Sequence, residues 1–400
     1  MKEAVLSINA GSSSLKFALF GLAGDGELEA ISAGKIEGIG ASPHFIARDA
    51  GGKVLVERRW QDSSLTHEAL LDELLGWIEA SADACRLIGI GHRVVHGGVE
   101  FAAPVLVTRP VIDALARLIP LAPLHQPHNI AAIGAAMAAR PGVPQIACFD
   151  TAFHQTQSPV ATRFAIPQAL SREGIRRYGF HGLSYEYVAR TLERLDPDMA
   201  AGRTIAAHLG NGASLCAMAR GLSIDTTMGF TALDGLMMGT RCGSIDPGVI
   251  LYLQQQKGMS TEEVQHLLYE ESGLLGVSGL SGDMRELVAS PDESARQAVE
   301  LFVYRVAREA GALASSLGGL DGLVFTAGIG ENSPVVRALV CRRLAWLGVD
   351  IDAGANAAAA PTISSAASRV TVRILPTDEE RMIAMHTLAI VKQNRELEAA

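Results

Sequence analysis

Positive charge is scarce in this 400-residue chain: 43 acidic side chains stand against 34 basic ones, a formal charge of -9 at pH 7. Lysine is scarcer still, with six lysines to 28 arginines. An acidic surface cannot displace counterions from a polyphosphate backbone, which excludes a general nucleic-acid binder. A small anionic ligand is not excluded, because one pocket needs only a few local cations and backbone N–H groups. The five cysteines (Cys85, Cys148, Cys216, Cys242, Cys341) are odd in number, scattered and never in a C-x-x-C pair. That pattern suits neither a disulfide framework nor a zinc site and points to a reducing cytoplasm. No stretch reaches the roughly 20 apolar residues of a membrane span. The first apolar run is broken by Ser7 and Asn9, so it does not read as a secretory signal.

What is present is a globular composition, 48% hydrophobic and 19% charged, long enough for two or three domains. Short runs of Val, Ile and Leu alternate with helical patterns, the mark of an α/β architecture. Strands are expected at 4–8, 15–20, 52–56, 87–95, 145–149, 204–208, 214–219, 322–326 and 370–375. Leu71, Leu74, Leu75 and Ile78 form one helical stripe, and Val299, Phe302, Val303, Val306, Ala310 and Leu313 a longer one. Thr377 and Glu380 occupy capping-box spacing ahead of a last helix. The Ala-rich stretch 352–367 reads as a weakly structured connection. Segment 7–17 is echoed at 207–215, each as strand, small polar turn, strand, which suggests two copies of one ancestral domain.

Three glycine turns follow predicted strands: Gly11 with Ser12 to Ser14, Gly210-Asn211-Gly212, and Gly328-Ile329-Gly330-Glu331-Asn332. Small residues there let backbone N–H groups and hydroxyls approach phosphate oxygens, and Lys16 adds a point charge. The third, after a strand and ahead of a helical pattern, has the spacing of neither a Rossmann nor a Walker A loop. Between the echoes lie polar runs in apolar or Pro/Gly-rich surroundings: 91–98, 122–129, 149–154 and 176–182. Functional side chains concentrate in such loops, although Arg93 and Asp150 could equally form a structural ion pair. His44, His67, His266 and His386 read as ordinary loop or surface residues. His92 and His96 have metal-ligand spacing only on a helix, and their Val and Gly neighbours argue against zinc.

Taken in order, nine motifs resemble the acetate kinase family over nearly the whole chain. They are Asn9-Ala10-Gly11-Ser12-Ser13-Ser14-Leu15-Lys16, His92-Arg93-Val94-Val95-His96-Gly97-Gly98, Ala122-Pro123-Leu124-His125, Phe149-Asp150-Thr151-Ala152-Phe153-His154, Arg177-Tyr178-Gly179-Phe180-His181-Gly182, His208-Leu209-Gly210-Asn211-Gly212, Met238-Gly239-Thr240-Arg241, Gly328-Ile329-Gly330-Glu331-Asn332 and Pro376-Thr377-Asp378-Glu379-Glu380. The resemblance implies an α/β fold of the actin, sugar-kinase and Hsp70 superfamily, with two ribonuclease-H-like domains facing each other across a cleft. It implies residues 1–150 plus 380–400 as the N-terminal domain and 151–379 as the nucleotide-binding one, in a cytoplasmic homodimer without nucleic-acid or membrane partners.

The implied reaction is reversible transfer of the γ-phosphoryl of ATP to acetate, giving acetyl phosphate and ADP. An anion must then approach a polyanion, a task suited to guanidinium groups, which stay charged and bind oxygens in pairs. By resemblance, Arg93 holds the acyl substrate against a wall of Val95, Leu124, Phe180 and Ala232. Arg241, His125 and His181 stabilise the phosphoryl group in flight. Asp150 matches a family position described as acid or base, yet a carboxylate substrate, with a pKa of about 4, is already ionised at neutral pH. An orienting role is therefore expected of it. ATP contacts fall to Ser12, Ser14, Lys16, His208, Leu209, Gly210, Asn211, Gly212, Asp283, Met284, Arg285 and the 328–332 loop. Asn9 and Glu379 match magnesium positions, with manganese an acceptable substitute.

The chain departs from the family pattern at Met284 (commonly Phe), Leu183-Ser184-Tyr185 (commonly Thr-Ser-His), Asp378 (commonly Asn) and Ala232 (commonly Pro). The smaller Ala232 is expected to leave room for an extra methyl on the substrate, which makes propionate kinase the nearest rival reading. An actin-like or Hsp70-like ATP-switch protein is the rival from another class. It would need the phosphate loops but not the constellation of Arg93, His125, His181 and Arg241.

Overall fold

The computed structural model describes residues 2–11, 13–24, 26–61, 65–81 and 85–399. The chain forms two compact units, one of residues 1–152 and 378–400, the other of residues 153–377.

The first unit is built on an eight-stranded sheet. Its strands are β1 (Lys2–Ala10), β2 (Ser14–Leu22), β3 (Leu28–Glu37), β4 (His44–Asp49), β5 (Val54–Arg59), β6 (Cys85–Val94), β7 (Val105–Leu106) and β8 (Gln145–Phe149), in the order β5-β4-β3-β2-β1-β6-β8-β7. β1, β2 and β3 form an antiparallel meander, after which β6 joins β1 and β8 joins β6 in parallel. Strands β1 and β8 are buried almost throughout, as expected where helices cover both faces. On one face the helix His67–Ser81 carries Leu70, Leu71, Leu74 and Leu75 into a core with Leu6, Ile8, Leu15 and Ile36. Phe17, Phe45 and Trp77 meet there with ring centroids 5.4 to 6.1 Å apart. Such pairs add about 0.5–1.5 kcal/mol each beyond area burial. The helix Glu379–Ala399 lies close against β6. A Cβ on Gly91 would stand 2.1 Å from Thr387 Oγ1, so only glycine admits that approach.

The second unit repeats the plan. Its strands β9 (Arg203–Leu209), β10 (Ala213–Ala219), β11 (Leu222–Thr226), β12 (Gly322–Thr326) and β13 (Thr371–Ile374) run in the order β11-β10-β9-β12-β13. Again a three-stranded antiparallel meander is followed by two parallel strands. This is the strand order of β3-β2-β1-β6-β8, and both hairpins of the sequence echo sit at the same place in it. The helices Gly182–Leu195 and Glu293–Leu317 flank this sheet; the longer one buries Val299, Phe302, Val303, Val306, Ala310 and Leu313.

Several elements differ from the sequence expectation. β3, β4, β7 and β11 are unforeseen, and the strand expected at 52–56 runs Val54–Arg59. β5 carries charged residues along a sheet edge, where such residues discourage pairing with other chains and weaken apolar alternation. The last helix is capped by Asp378, whose Oδ1 accepts from Arg381 N at 2.8 Å, rather than by Thr377, whose hydroxyl donates to Ser184. The Ala-rich stretch is ordered: Asp352 caps the turn Ala353–Ala357, and bridges join Ile351 to Ser364 and Thr362 to Arg373. Among the described residues, no helix is long and apolar enough to cross a membrane.

Candidate active site

In the first unit the polar residues gather at the carboxyl ends of β1 and β6. The parallel register pairs Ile8 with His92, so the next residues, Asn9 and Arg93, share a sheet face. Lys16 lies directly opposite Asn9 in the hairpin. Arg93 donates Nε and Nη2 to the Asp150 carboxylate, with Nη2 2.6 Å from Oδ2, and donates Nη1 to Asn9 Oδ1 at 3.2 Å. Glu379 Oε2, from the first turn of the last helix, stands 4.0 Å from Arg93 Nε. The Asp150 side chain is 1% exposed and that of Arg93 21%, so the guanidinium keeps an open edge. Burial alone would lower the Arg93 pKa, but Asp150, Glu379 and Glu380 outweigh it and hold the group above its ordinary value. It is a permanent cation.

Neighbouring side chains hold this corner. Asn129, in the helix Gln126–Ala139, donates Nδ2 to Ala10 O at 2.9 Å and accepts Val95 N at 3.0 Å, tying the ends of β1 and β6 together. His67 bonds the Gly11 carbonyl through Nε2 at 2.9 Å. His125 is the N-cap residue of the helix Gln126–Ala139, and Leu124 beside it is half-buried. His92 donates Nε2 to Gln145, and burial lowers its pKa to about 4. His96 accepts from Gly98 N and is likewise lowered to about 4, so both rings are neutral packing groups. Ser14 opens β2, Lys16 is exposed on it and Val95 is buried after β6. Ser12 lies outside the described residues.

In the second unit the centre is the turn Gly210-Asn211-Gly212 between β9 and β10. A Cβ on Gly212 would come 2.9 Å from Arg241 Nη2 and 3.3 Å from His181 Nε2. Both side chains therefore border the space that glycine leaves open. His181 is brought there by a left-handed backbone (φ 59°) at the N-terminus of the helix Gly182–Leu195. Its ring stacks on His208, with centroids 4.2 Å apart and planes 18° from parallel. Arg241 is delivered by the 238–241 turn, in which Met238 N donates to Arg241 O; its Nη1 donates to Ala232 O at 2.7 Å. Gly239 packs directly on Asn211, whose Oδ1 would meet any Cβ there at 2.1 Å. Leu209 and Phe180 are buried, and Phe180 O accepts from His154 Nε2.

The third glycine turn forms the short helix Ala327–Asn332. Glu331 turns its carboxylate inward, accepting from Ala327 N at 2.7 Å and Thr377 N at 3.2 Å. Asn332 Nδ2 bonds Gly328 O. Arg337, fully buried, donates Nη1 to the carbonyls of Gly330 and Glu331 and Nε to Asn356. A buried cation at a helix C-terminus balances partial negative charge, and here it fixes the turn that carries Gly328 and Ile329. Asp283 caps the helix Met284–Ala289 and pairs with the exposed Arg285, while Met284 is buried. Beside that helix lies a groove of about 620 Å³ with an apolar floor that includes Leu287, Val299 and Val303 and charged sides that include Asp292, Arg296 and Arg342. Among the candidate residues, Arg93, Asp150, Asn9 and Glu379 thus form one cluster, and His181, His208, Gly212 and Arg241 another. Asn129, Ser214 and Arg337 had no separate signal in the sequence.

Comparison with known proteins agrees with the motifs. The family model described as the acetokinase family matches residues 4–385. An acetate kinase of Methylocella silvestris is 52% identical, covering 98% of this chain and 99% of that relative; one of Nitrobacter hamburgensis is 51% identical, covering 97% and 96%. Among solved structures, a propionate kinase from Francisella tularensis superposes with a TM-score of 0.90 at 36% identity, covering 97% of this chain and 99% of that one. The acetate kinase of Porphyromonas gingivalis gives 0.86 at 37%, covering 97% and 100%. With its doubled strand order, its arginine clusters and a family match over nearly its full length, the chain belongs to the acetokinase family.

Proposed function

We propose that this protein phosphorylates acetate from ATP, giving acetyl phosphate and ADP, and catalyses the reverse transfer. An acetate oxygen attacks the γ-phosphorus as the bond to the β,γ-bridging oxygen breaks, and ADP leaves with that electron pair. The observation that carries the reading is Arg93. A buried Asp150 holds its guanidinium permanently cationic while leaving an edge exposed, as a binder of a short carboxylate requires. Both oxygens of Asp150 are engaged by Arg93, which favours orientation over proton transfer as its role. His125 and His181 donate to the phosphoryl oxygens, and Arg241 neutralises charge that develops there. Removing one such donor costs roughly 10²–10³ in turnover. The second unit is the nucleotide-binding domain, with His208 to Gly212 near the phosphates and the 283–285 and 328–332 segments near adenosine. The first unit supplies Arg93, Val95 and Leu124 to the acyl group, with Lys16 and Ser14 in its hairpin.

Magnesium fits the residues of the first cluster. Asn9 Oδ1 and Glu379 Oε2 both lie beside Arg93, and burial together with Glu379 and Asp378 pushes the Glu380 carboxyl above its usual range. An oxygen-only donor set with surplus negative charge suits a hard divalent cation. When bound, the ion neutralises phosphate oxygens. Asn9 and Glu379 would hold it, and manganese would occupy the same donors.

The helix Pro247–Gln255 buries none of its residues, leaving Leu251 and Tyr252 each 53% exposed. A second copy of the chain covers it, and Leu251→Glu should convert the dimer to monomer in sedimentation. The scattered cysteines, none in a C-x-x-C pair, support a cytoplasmic location. Acetate-dependent release of ADP, read by a coupled assay, tests the reaction; ADP release indifferent to acetate would refute it.

A further inference from the structure

Two serines sit between a histidine and a second hydroxyl. Ser214 Oγ lies 2.8 Å from His181 Nδ1 and 2.5 Å from the Tyr185 hydroxyl. Ser184 Oγ lies 2.9 Å from His208 Nδ1 and accepts from Thr377 Oγ1 at 2.8 Å. Ser184, Tyr185 and Ser214 are fully buried, and His208 nearly so. The local fold explains the pairing. Ser214 faces His208 across the β9–β10 ladder, while Ser184 and Tyr185 are successive residues in the first turn of their helix. Successive helical residues point about 100° apart, so one serves each ring.

We propose that Tyr185–Ser214 and Thr377–Ser184 are twin hydroxyl relays that fix His181 and His208 as neutral imidazoles carrying their proton on Nε2. A serine hydroxyl has one proton to give. A phenol is more acidic than an alcohol and its oxygen a poorer acceptor, so Tyr185 donates to Ser214. Ser214 then gives its own proton to His181 Nδ1, whose lone pair accepts it, and the ring proton resides on Nε2. From Thr377 through Ser184 the same order reaches His208. Both Nε2–H groups border the glycine turn: a Cβ on Gly212 would stand 3.3 Å from His181 Nε2, and one on Gly210 3.8 Å from His208 Nε2. Two stacked imidazolium rings would repel each other, whereas two neutral rings with fixed tautomers donate side by side. Tyr185 and Thr377 are positioning residues. Tyr185 stands where the family pattern commonly has histidine, so this relay belongs to the present chain. That the donors serve phosphoryl oxygens rests on the proposed reaction; the tautomers do not.

The test is long-range ¹H–¹⁵N correlation on ¹⁵N-histidine protein at neutral pH, with peaks assigned by His181→Asn and His208→Asn. In the wild type both rings should show an unprotonated Nδ1 and a protonated Nε2. Tyr185→Phe should give His181 a mixed pattern and leave His208 unchanged, and Thr377→Val should do the reverse. Tyr185→Phe should also lower kcat severalfold with the ATP KM unchanged. A protonated Nδ1 on either wild-type ring, or an unaltered His181 pattern in Tyr185→Phe, would overturn the relay. The expected pattern in a protein without acetate-dependent turnover would uphold the relay and refute the reaction instead.

Discussion

Arg93 and Asp150 form a two-pronged ion pair in which the carboxylate is buried and the guanidinium keeps an exposed edge. Asp150 is thereby committed to Arg93. Asp150→Asn should lower kcat and raise the acetate KM while leaving the shape of the pH–rate profile unchanged, because the variant misorients Arg93 without deleting a proton donor. An acid limb that vanishes in the variant would mean that Asp150 transfers a proton after all. Breaking a buried pair costs about 3–5 kcal/mol, so thermal unfolding of Asp150→Asn should be measured alongside.

Arg93→Ala and Arg241→Ala should each reduce turnover by orders of magnitude with nucleotide binding largely retained, as read by calorimetry with ADP. Arg241 borders Gly212 and Arg93 borders Asn9, the positions proposed to meet the phosphoryl and acyl groups. Nucleotide affinity collapsing in both variants would contradict these roles.

Three buried histidines weaken the fold in mild acid. Burial lowers His92, His96 and His154 to about 4, against about 6.5 in an unfolded chain. Between those values the unfolded state binds more protons, so their contribution is full above about pH 6.5 and is lost as pH falls toward 4. Urea unfolding across this window should show it, and His92→Gln should flatten the slope by about one proton, ~1.4 kcal/mol per pH unit.

Asp321, at the start of β12, accepts from Arg203 N and Nε at 2.9 Å and from Nη2 at 2.7 Å. The Arg203 hydrogen bonds hold its pKa down to about 2. This lowered acid stabilises the fold above about pH 4 and loses that effect as pH falls toward 2. The pair is about two-fifths exposed, so Asp321→Asn should cost only about 0.2–1 kcal/mol at pH 7. The difference from wild type should vanish near pH 2.

Ala232 presents its carbonyl to Arg241 and carries a smaller side chain than the proline common in the family. One methylene is worth about 1–3 kcal/mol in a pocket, so propionate should be used measurably beside acetate. A propionate kcat/KM below a hundredth of the acetate value would show that Ala232 does not widen the pocket.

Legibility in the sequence followed the physics of each segment. β1, β8, β9 and β12 are buried on both faces and read as apolar runs; the short β4, with only Phe45 and Ala47 buried, did not, and the polar edge strand β5 was read with shifted bounds. The glycine turns and the Arg93, Asp150, His181 and Arg241 motifs were visible because their residue types are chemically distinctive. Their supports were not: Ser214, Asn129 and Arg337 act through long-range hydrogen bonds that no local spacing encodes. Tyr185 stood out as a departure from the family pattern, and only the fold shows its hydroxyl at Ser214.

The central claim is transfer of phosphoryl from ATP to acetate rather than to water. Incubation with ATP, acetate and hydroxylamine, followed by colorimetric detection of acetyl hydroxamate, tests it most directly. Hydroxamate should form in step with ADP, require acetate and fall by orders of magnitude in Arg93→Ala and Arg241→Ala. ATP hydrolysis that proceeds without acetate and yields no trapped acyl group would contradict the account and favour a nucleotide-switch protein.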